Sequence, residues 1–133
     1  MPTHEFDFRI AYADTDRMGV VYYANYYVLF ERGRTEMLRE LGFRYRDLEE
    51  NLKIFLPAME SHCEYLAPAR YDDLLRIRTL VSELGRAHVT FRYEIENRDT
   101  GRLLARGYTK HPFVNERWRP VRVPAPIRRA LGS

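Results

Sequence analysis

A single cysteine, Cys63, excludes an internal disulfide and any zinc site built from several thiolates. No run approaches the ~18 consecutive apolar residues that a membrane-spanning helix needs. The opening MPTHEFDFRI lacks the charged and apolar blocks of a secretory leader. The expectation is an intracellular, cytoplasmic protein with no membrane span. Repeats, low-complexity tracts and linkers are also missing, so residues 1–133 read as one domain with a single substantial core. Acids are lacking in one place: none follows Glu116, while Arg117, Arg119, Arg122, Arg128 and Arg129 do. Against a net charge of only +3, this reads first as a solvated basic tail and second as an anion-attracting surface. The arginines carry no accompanying nucleic-acid motif, so no nucleic-acid partner is expected.

What is present is strongly periodic. EFDFRIAY alternates Phe6, Phe8, Ile10 and Tyr12 with polar residues, as a half-buried strand does. From about Ala24 to Leu41, Tyr26, Phe30, Gly33, Met37 and Leu41 recur at helical spacing, with Glu31, Arg32, Thr35 and Arg39 turned away. Gly42 stands where helices commonly stop in the left-handed conformation. Strand patterns follow in MESHCEYL, LLRIRTLV and HVTFRYEIE. Gly85-Arg86 is the predicted two-residue hairpin turn, and Asp99-Thr100-Gly101 another turn. RLLARGYTKHPFV extends to a proline that marks a strand edge or end, and APIRRAL reads as a short terminal helix. One long helix accompanied by antiparallel strands must bury its stripe on their sheet. The result is an α+β domain whose sheet curls around a central helix. Its free edge and exposed face predict a homo-oligomer.

The stretch ADTDRMGVVYYANYY places Asp14 and Asp16 ahead of that helix. A capping carboxylate acts on amides two or three residues downstream. If the helix starts between Tyr23 and Asn25, Asp16 is too far upstream to be the cap, and Asn25 is the better candidate. Asp14 suits an Asx turn. DTDRMG imitates the opening of a calcium loop, but Met18 and Asn25 fall where two oxygen ligands are required. Chemistry remains. A carboxylate and Gly19 in a loop feeding a helix N-terminus set an anion beside free N–H groups. An acyl carbonyl fits between them, its oxygen on the amides and its carbon facing the carboxylate. A carboxylate is a weak nucleophile, so the acyl group must be activated, as a thioester is. Asp16 then attacks it directly or acts as a base on water.

The segment AYADTDRMGVVYYANYYVLFERGRTEML resembles the opening motif of the 4-hydroxybenzoyl-CoA thioesterase family, which includes bacterial acyl-CoA thioesterases encoded near the Tol–Pal envelope system. THEFDFRI, LAPARYDDLLRIRT and GYTKHPFVN with RPVRVP fit its neighbouring strands, so the resemblance spans nearly the whole chain. It implies a hotdog fold: a curved antiparallel sheet wrapped around one long central helix. It also implies hydrolysis of acyl-CoA to a free acid and CoA, with no metal and no redox cofactor. Carried over by position, the catalytic carboxylate is Asp16, and the amide that polarises the thioester is the backbone N–H of Tyr23. The family's pockets lie at homodimer interfaces, and dimers often pair into homotetramers. Many Tol–Pal-linked relatives carry histidine where this chain has Tyr23, so substrate preference is not inherited from that branch.

Among the remaining residues, Asp14 is expected to shape the loop, and Asn25 to cap the helix, with substrate binding or holding the loop for Asp16 as its other roles. Tyr22 and Tyr27 are expected to be core or interface aromatics. Cys63 reads as a small core residue and His62 as its neighbour on the opposite face. CoA phosphates need cations: Arg86 on its hairpin falls near the family's basic nucleotide contact, with His88 and Lys110 as weaker candidates. Two other readings compete. One is a non-catalytic module that binds an acyl thioester or an acyl carrier protein through the basic C-terminal stretch. The other is a hotdog dehydratase or hydratase, which calls for a positioned histidine; the helix region holds none.

Overall fold

The computed structural model describes residues 1–132. Five strands form one antiparallel sheet: β1 (Thr3–Arg9), β2 (Glu60–Tyr65), β3 (Leu74–Leu84), β4 (His88–Asn97) and β5 (Leu103–Pro112). Their spatial order is β1-β3-β4-β5-β2, which leaves β1 and β2 as the edges. The long helix α1 (Asn25–Glu40) lies across the inner face. A short helix α2 (Tyr45–Asp47) runs into a wide turn over Leu48–Leu52, and α3 (Ala125–Gly132) closes the chain. This is the sheet-around-helix architecture that the sequence implies.

The strand alternation decides which side chains meet α1. Leu75, Ile77, Val89, Phe91 and Ile95 are fully buried. From the helix, Phe30 stacks on Tyr93 with ring centroids 4.3 Å apart and planes 7° from parallel. Two glycines allow this close approach. A Cβ on Gly33 would lie 2.4 Å from Thr79 Oγ1, and one on Gly107 would lie 2.1 Å from the His62 carbonyl oxygen and 2.9 Å from the Phe30 ring. Beyond the last helical turn, Gly42 takes φ +97°, the left-handed stop read from the sequence.

Four expectations need correction. Tyr12 does not continue β1; the chain turns sharply over Tyr12–Asp14, and its ring is exposed. Thr35 is half-buried rather than turned to solvent, because the buried stripe of α1 widens to include Leu38. The hairpin after β3 closes one residue later: the Gly85 N–H donates to the His88 carbonyl at 2.9 Å, so Arg86-Ala87 form its tip. The basic C-terminal stretch is no solvated tail. Val121 N–H bonds the Phe113 carbonyl, Val123 N–H bonds the Arg86 carbonyl, and Ile127 and Leu131 are buried.

A polar seam crosses the core with one consistent direction of donation. Arg34 Nη1 donates to Tyr93 Oη at 3.5 Å, and Tyr93 Oη lies 2.5 Å from Thr109 Oγ1. Thr109 Oγ1 in turn lies 2.8 Å from His111 Nε2, and His111 Nδ1 is 3.2 Å from the carbonyls of Leu56 and Pro57. Only a neutral ring completes this chain, accepting at Nε2 and donating at Nδ1. Burial and the Arg34 charge push the His111 pKa down to about 4, against an ordinary value of 6.5. Between those values the unfolded chain takes up a proton that the folded chain refuses. Stability should therefore fall as pH drops from about 6.5 to about 4, by about 3 kcal/mol in all. Denaturant unfolding at stepped pH checks this, with a shallower slope expected for His111→Asn; equal slopes would remove His111 as the cause.

Candidate active site

The loop between β1 and α1 is held at one end of the sheet. Ile10 is buried there, its N–H donating to the Asp73 carbonyl at 2.9 Å and its carbonyl accepting from Asp72 N–H at 3.0 Å. Asp14 then organises the loop twice over. Its carboxylate accepts from Ala11 N–H at 2.7 Å, while its carbonyl accepts from Tyr22 N–H at 3.0 Å and Asn25 Nδ2 at 2.9 Å. Asn25 is thus not the cap. Ala24 occupies that position, and the Asn25 side chain ties the helix to the loop.

Asp16 sits in a tight turn beyond Asp14. Its N–H donates to Val20 at 2.9 Å, its carbonyl accepts from Gly19 at 3.0 Å, and Gly19 takes φ +79°. One carboxylate oxygen, Oδ1, accepts from Met18 N–H at 2.8 Å; Oδ2 takes no partner among the described residues. The half-buried Asp16 lines a cavity of about 360 Å³ with Met18, Val20, Tyr23, Tyr65 and Pro68 among its walls. Among the described residues it is the only charged group lining that cavity, and no histidine lines it. The N–H groups of Tyr23 and Ala24 find no acceptor among the described residues. Free amides at a helix start attract negative charge.

Electrostatics leave the surrounding phenols protonated. The Tyr23 hydroxyl, slight burial and the Asp16 charge raise the Tyr22 pKa. Burial raises those of Tyr26 and Tyr65. None of these three is ionised near neutral pH. Among the described residues, no three His, Cys, Asp or Glu side chains are grouped to hold a metal ion.

The other sequence-predicted residues lie elsewhere. Arg86, His88 and Lys110 cluster at the far end of the sheet, since β3 runs 11 residues away from the Asp16 end, roughly 35 Å. His88 Nε2 contacts the Glu83 carboxylate, and with the Lys110 charge it lowers the Glu83 pKa. Lys110 stands opposite Glu60 and Thr90 in register. Arg86 shares a groove of about 460 Å³ with Arg122 and Arg128, whose Nη2 donates to the Gly85 carbonyl at 2.6 Å. The grouping of Arg122 and Arg128 with Arg86 was missed because nothing local in the sequence announces it. Tyr65 was missed for the same reason.

A curved antiparallel sheet wrapped on one long helix, with a loop carboxylate and the helix start lining one cavity, is the architecture of a hotdog-fold hydrolase. The sequence profile of the thioesterase superfamily matches residues 18–104, and the chain belongs to that family. An acyl-CoA thioesterase YbgC from Haemophilus influenzae is 34% identical over 127 residues, covering 95% of this chain and 92% of the relative. A 1,4-dihydroxy-2-naphthoyl-CoA thioesterase from Synechocystis superposes with a TM-score of 0.94 at 22% identity, over 99% of this chain and 97% of the other. A 4-hydroxybenzoyl-CoA thioesterase bound to 4-hydroxybenzoyl-CoA gives 0.88 at 23% identity, over 97% and 98%. At those identities the two structures speak for the fold alone.

Proposed function

We propose that the chain hydrolyses acyl-CoA to a free acid and CoA, with Asp16 as nucleophile or general base and the Tyr23 N–H as oxyanion donor. The observation that carries this reading is one cavity lined by both Asp16, whose Oδ2 is free among the described residues, and Tyr23, whose N–H has no acceptor among them. As nucleophile, Asp16 Oδ2 bonds the acyl carbon and the CoA thiolate leaves. Water then opens the mixed anhydride, releasing the acid and restoring the carboxylate. As base, Asp16 takes a proton from water as the hydroxide oxygen bonds the acyl carbon. The collapsing intermediate expels the thiolate, which takes that proton. Both routes place negative charge on the acyl oxygen, where the amides act. The absence of histidine from the cavity walls weighs against a hydratase.

The working unit in this reading is a cytoplasmic homodimer. Edge strand β2 is bare, and Met59, Tyr65 and Leu66 beside it are 57%, 47% and 45% exposed. Two β2 edges paired about a two-fold axis run antiparallel, so the Glu60 end of one meets the Tyr65 end of the other. That pairing carries the Arg86 groove of the second copy toward the Asp16 cavity of the first. The hairpin strand β4 lies two strands, about 10 Å, from the seam. Adenine-nucleotide phosphates would then be held by one subunit and the thioester cleaved by the other.

A thiol-release assay across short, long and aromatic acyl-CoAs tests the function; no release from any of them would refute it. Arg86→Glu is expected to raise KM about tenfold with kcat kept, in a protein that sediments as a dimer. An unchanged KM would detach the groove from CoA.

A further inference from the structure

We propose that Asn25 is a positioning residue, whose side-chain amide fixes the Tyr22–Tyr23 peptide so that the Tyr23 N–H meets the developing oxyanion. The inference rests on the thioesterase reading and adds a residue to it. Asp14, Tyr22 and Asn25 are joined by a closed circuit of hydrogen bonds. Tyr22 N–H donates to the Asp14 carbonyl at 3.0 Å, and Asn25 N–H donates to the Tyr22 carbonyl at 2.9 Å. Asn25 Nδ2 closes the circuit by donating to the same Asp14 carbonyl at 2.9 Å. The Tyr22 carbonyl and the Tyr23 N–H belong to one peptide, which is planar and trans. In such a unit the two groups point in opposite directions, so holding the carbonyl aims the N–H.

The helix start does little of this by itself. Its first bonds are long, 3.4 Å from Tyr26 N–H to the Tyr23 carbonyl and 3.2 Å from Tyr27 N–H to the Ala24 carbonyl. Tyr65 Oη donates to the Tyr23 carbonyl at 3.0 Å, but that carbonyl belongs to the following peptide, Tyr23–Ala24. The Asn25 side chain ties residue 25 to the loop, and with it the donor that holds the Tyr22 carbonyl. Asn25 stands apart from the reacting groups, which corrects the substrate-binding expectation. It lines a separate pocket of about 70 Å³ with Phe8, Ile10 and Leu29, and is not among the walls of the Asp16 cavity. An aimed amide helps chiefly once charge has formed on the acyl oxygen. Loss of aim should thus fall on the chemical step and spare KM.

Asn25→Ala removes the tie and leaves a residue that favours helix. We expect the single-turnover rate of thiol release to fall about tenfold, KM to stay within twofold, and the thermal midpoint to move by no more than about 5 °C. Asn25→Gln keeps the donor on a longer arm and should recover part of that rate. A further readout needs no turnover: the infrared carbonyl stretch of the panel's best acyl-CoA bound to Asp16→Asn. It should lie below its value in water, and by less when Asn25→Ala is added. A wild-type rate in Asn25→Ala would overturn the inference while leaving the thioesterase reading intact. A raised KM with unchanged rate would do the same, by making Asn25 a substrate contact. So would an unmoved carbonyl stretch, or a glutamine variant no faster than alanine, which would reduce Asn25 to packing. A wild-type protein that releases no thiol from any acyl-CoA would overturn both.

Discussion

Asp16→Asn should leave a folded protein whose kcat is about 10³-fold lower, the loss expected when a positioned base or nucleophile is removed. That corresponds to about 4 kcal/mol of barrier. The structure explains why folding survives. Asp16 makes one side-chain hydrogen bond, from Met18 N–H at 2.8 Å, and the amide oxygen of asparagine accepts it equally well. The turn also keeps its three backbone contacts: Asp16 N–H on Val20, Gly19 N–H on Asp16, and the Thr15–Val21 bridge. Asparagine cannot form a leaving mixed anhydride or take a proton from water. KM should change little, because the uncharged amide still fills the same wall of the cavity. Initial rates of thiol release with the best acyl-CoA of the panel decide the matter, alongside a thermal melt. Turnover equal to wild type would remove Asp16 from the chemistry altogether.

Gly107→Ala should cost about 3 kcal/mol and lower the thermal midpoint by roughly 10 °C. The added methyl would stand 2.1 Å from the His62 carbonyl oxygen and 2.9 Å from the Phe30 ring. The ring can tilt, but the carbonyl belongs to β2, which is paired residue for residue with β5 from Glu60↔Lys110 to Tyr65↔Ala105. Relief must come from moving an edge strand or lifting α1 off the sheet, and either shifts the Tyr23–Tyr65 contact. Activity should therefore fall with stability. Adding Phe30→Leu relieves the ring contact alone, so the double variant should recover less than half of the lost stability in urea. A Gly107→Ala protein as stable as wild type would show that the helix–sheet spacing is looser than described.

Much of the fold was legible because its signals are local. Period-two alternation in HVTFRYEIE places Val89, Phe91, Tyr93 and Ile95 inward, and all four are buried. The stripe from Tyr26 to Met37 marks the buried face of α1. Where the reading failed, two local signals conflicted. Tyr12 continues the alternation of β1, yet the Asp14 carboxylate folds back on Ala11 and ends the strand first. In the last stretch, five arginines masked Val123, Ile127 and Leu131, whose burial holds that segment against the hairpin. The site divides in the same way. Asp16 and the helix start are close in sequence and share a motif. Tyr65 meets Tyr23 across 42 residues, through a strand register that no short window contains. The joining of Arg86 with Arg122 and Arg128 depends on where the closing segment docks.

The twin acids of ADTD turn out to have separate employments. Asp14 has given both its carboxylate and its carbonyl to construction, whereas Asp16 keeps one carboxylate oxygen uncommitted beside its own turn contacts. Reactivity at this loop can accordingly be rewritten without rebuilding it. Variants randomised at position 16 lose only the Met18 contact of the turn, while the same randomisation at 14 releases Ala11 and the sharp bend that ends β1.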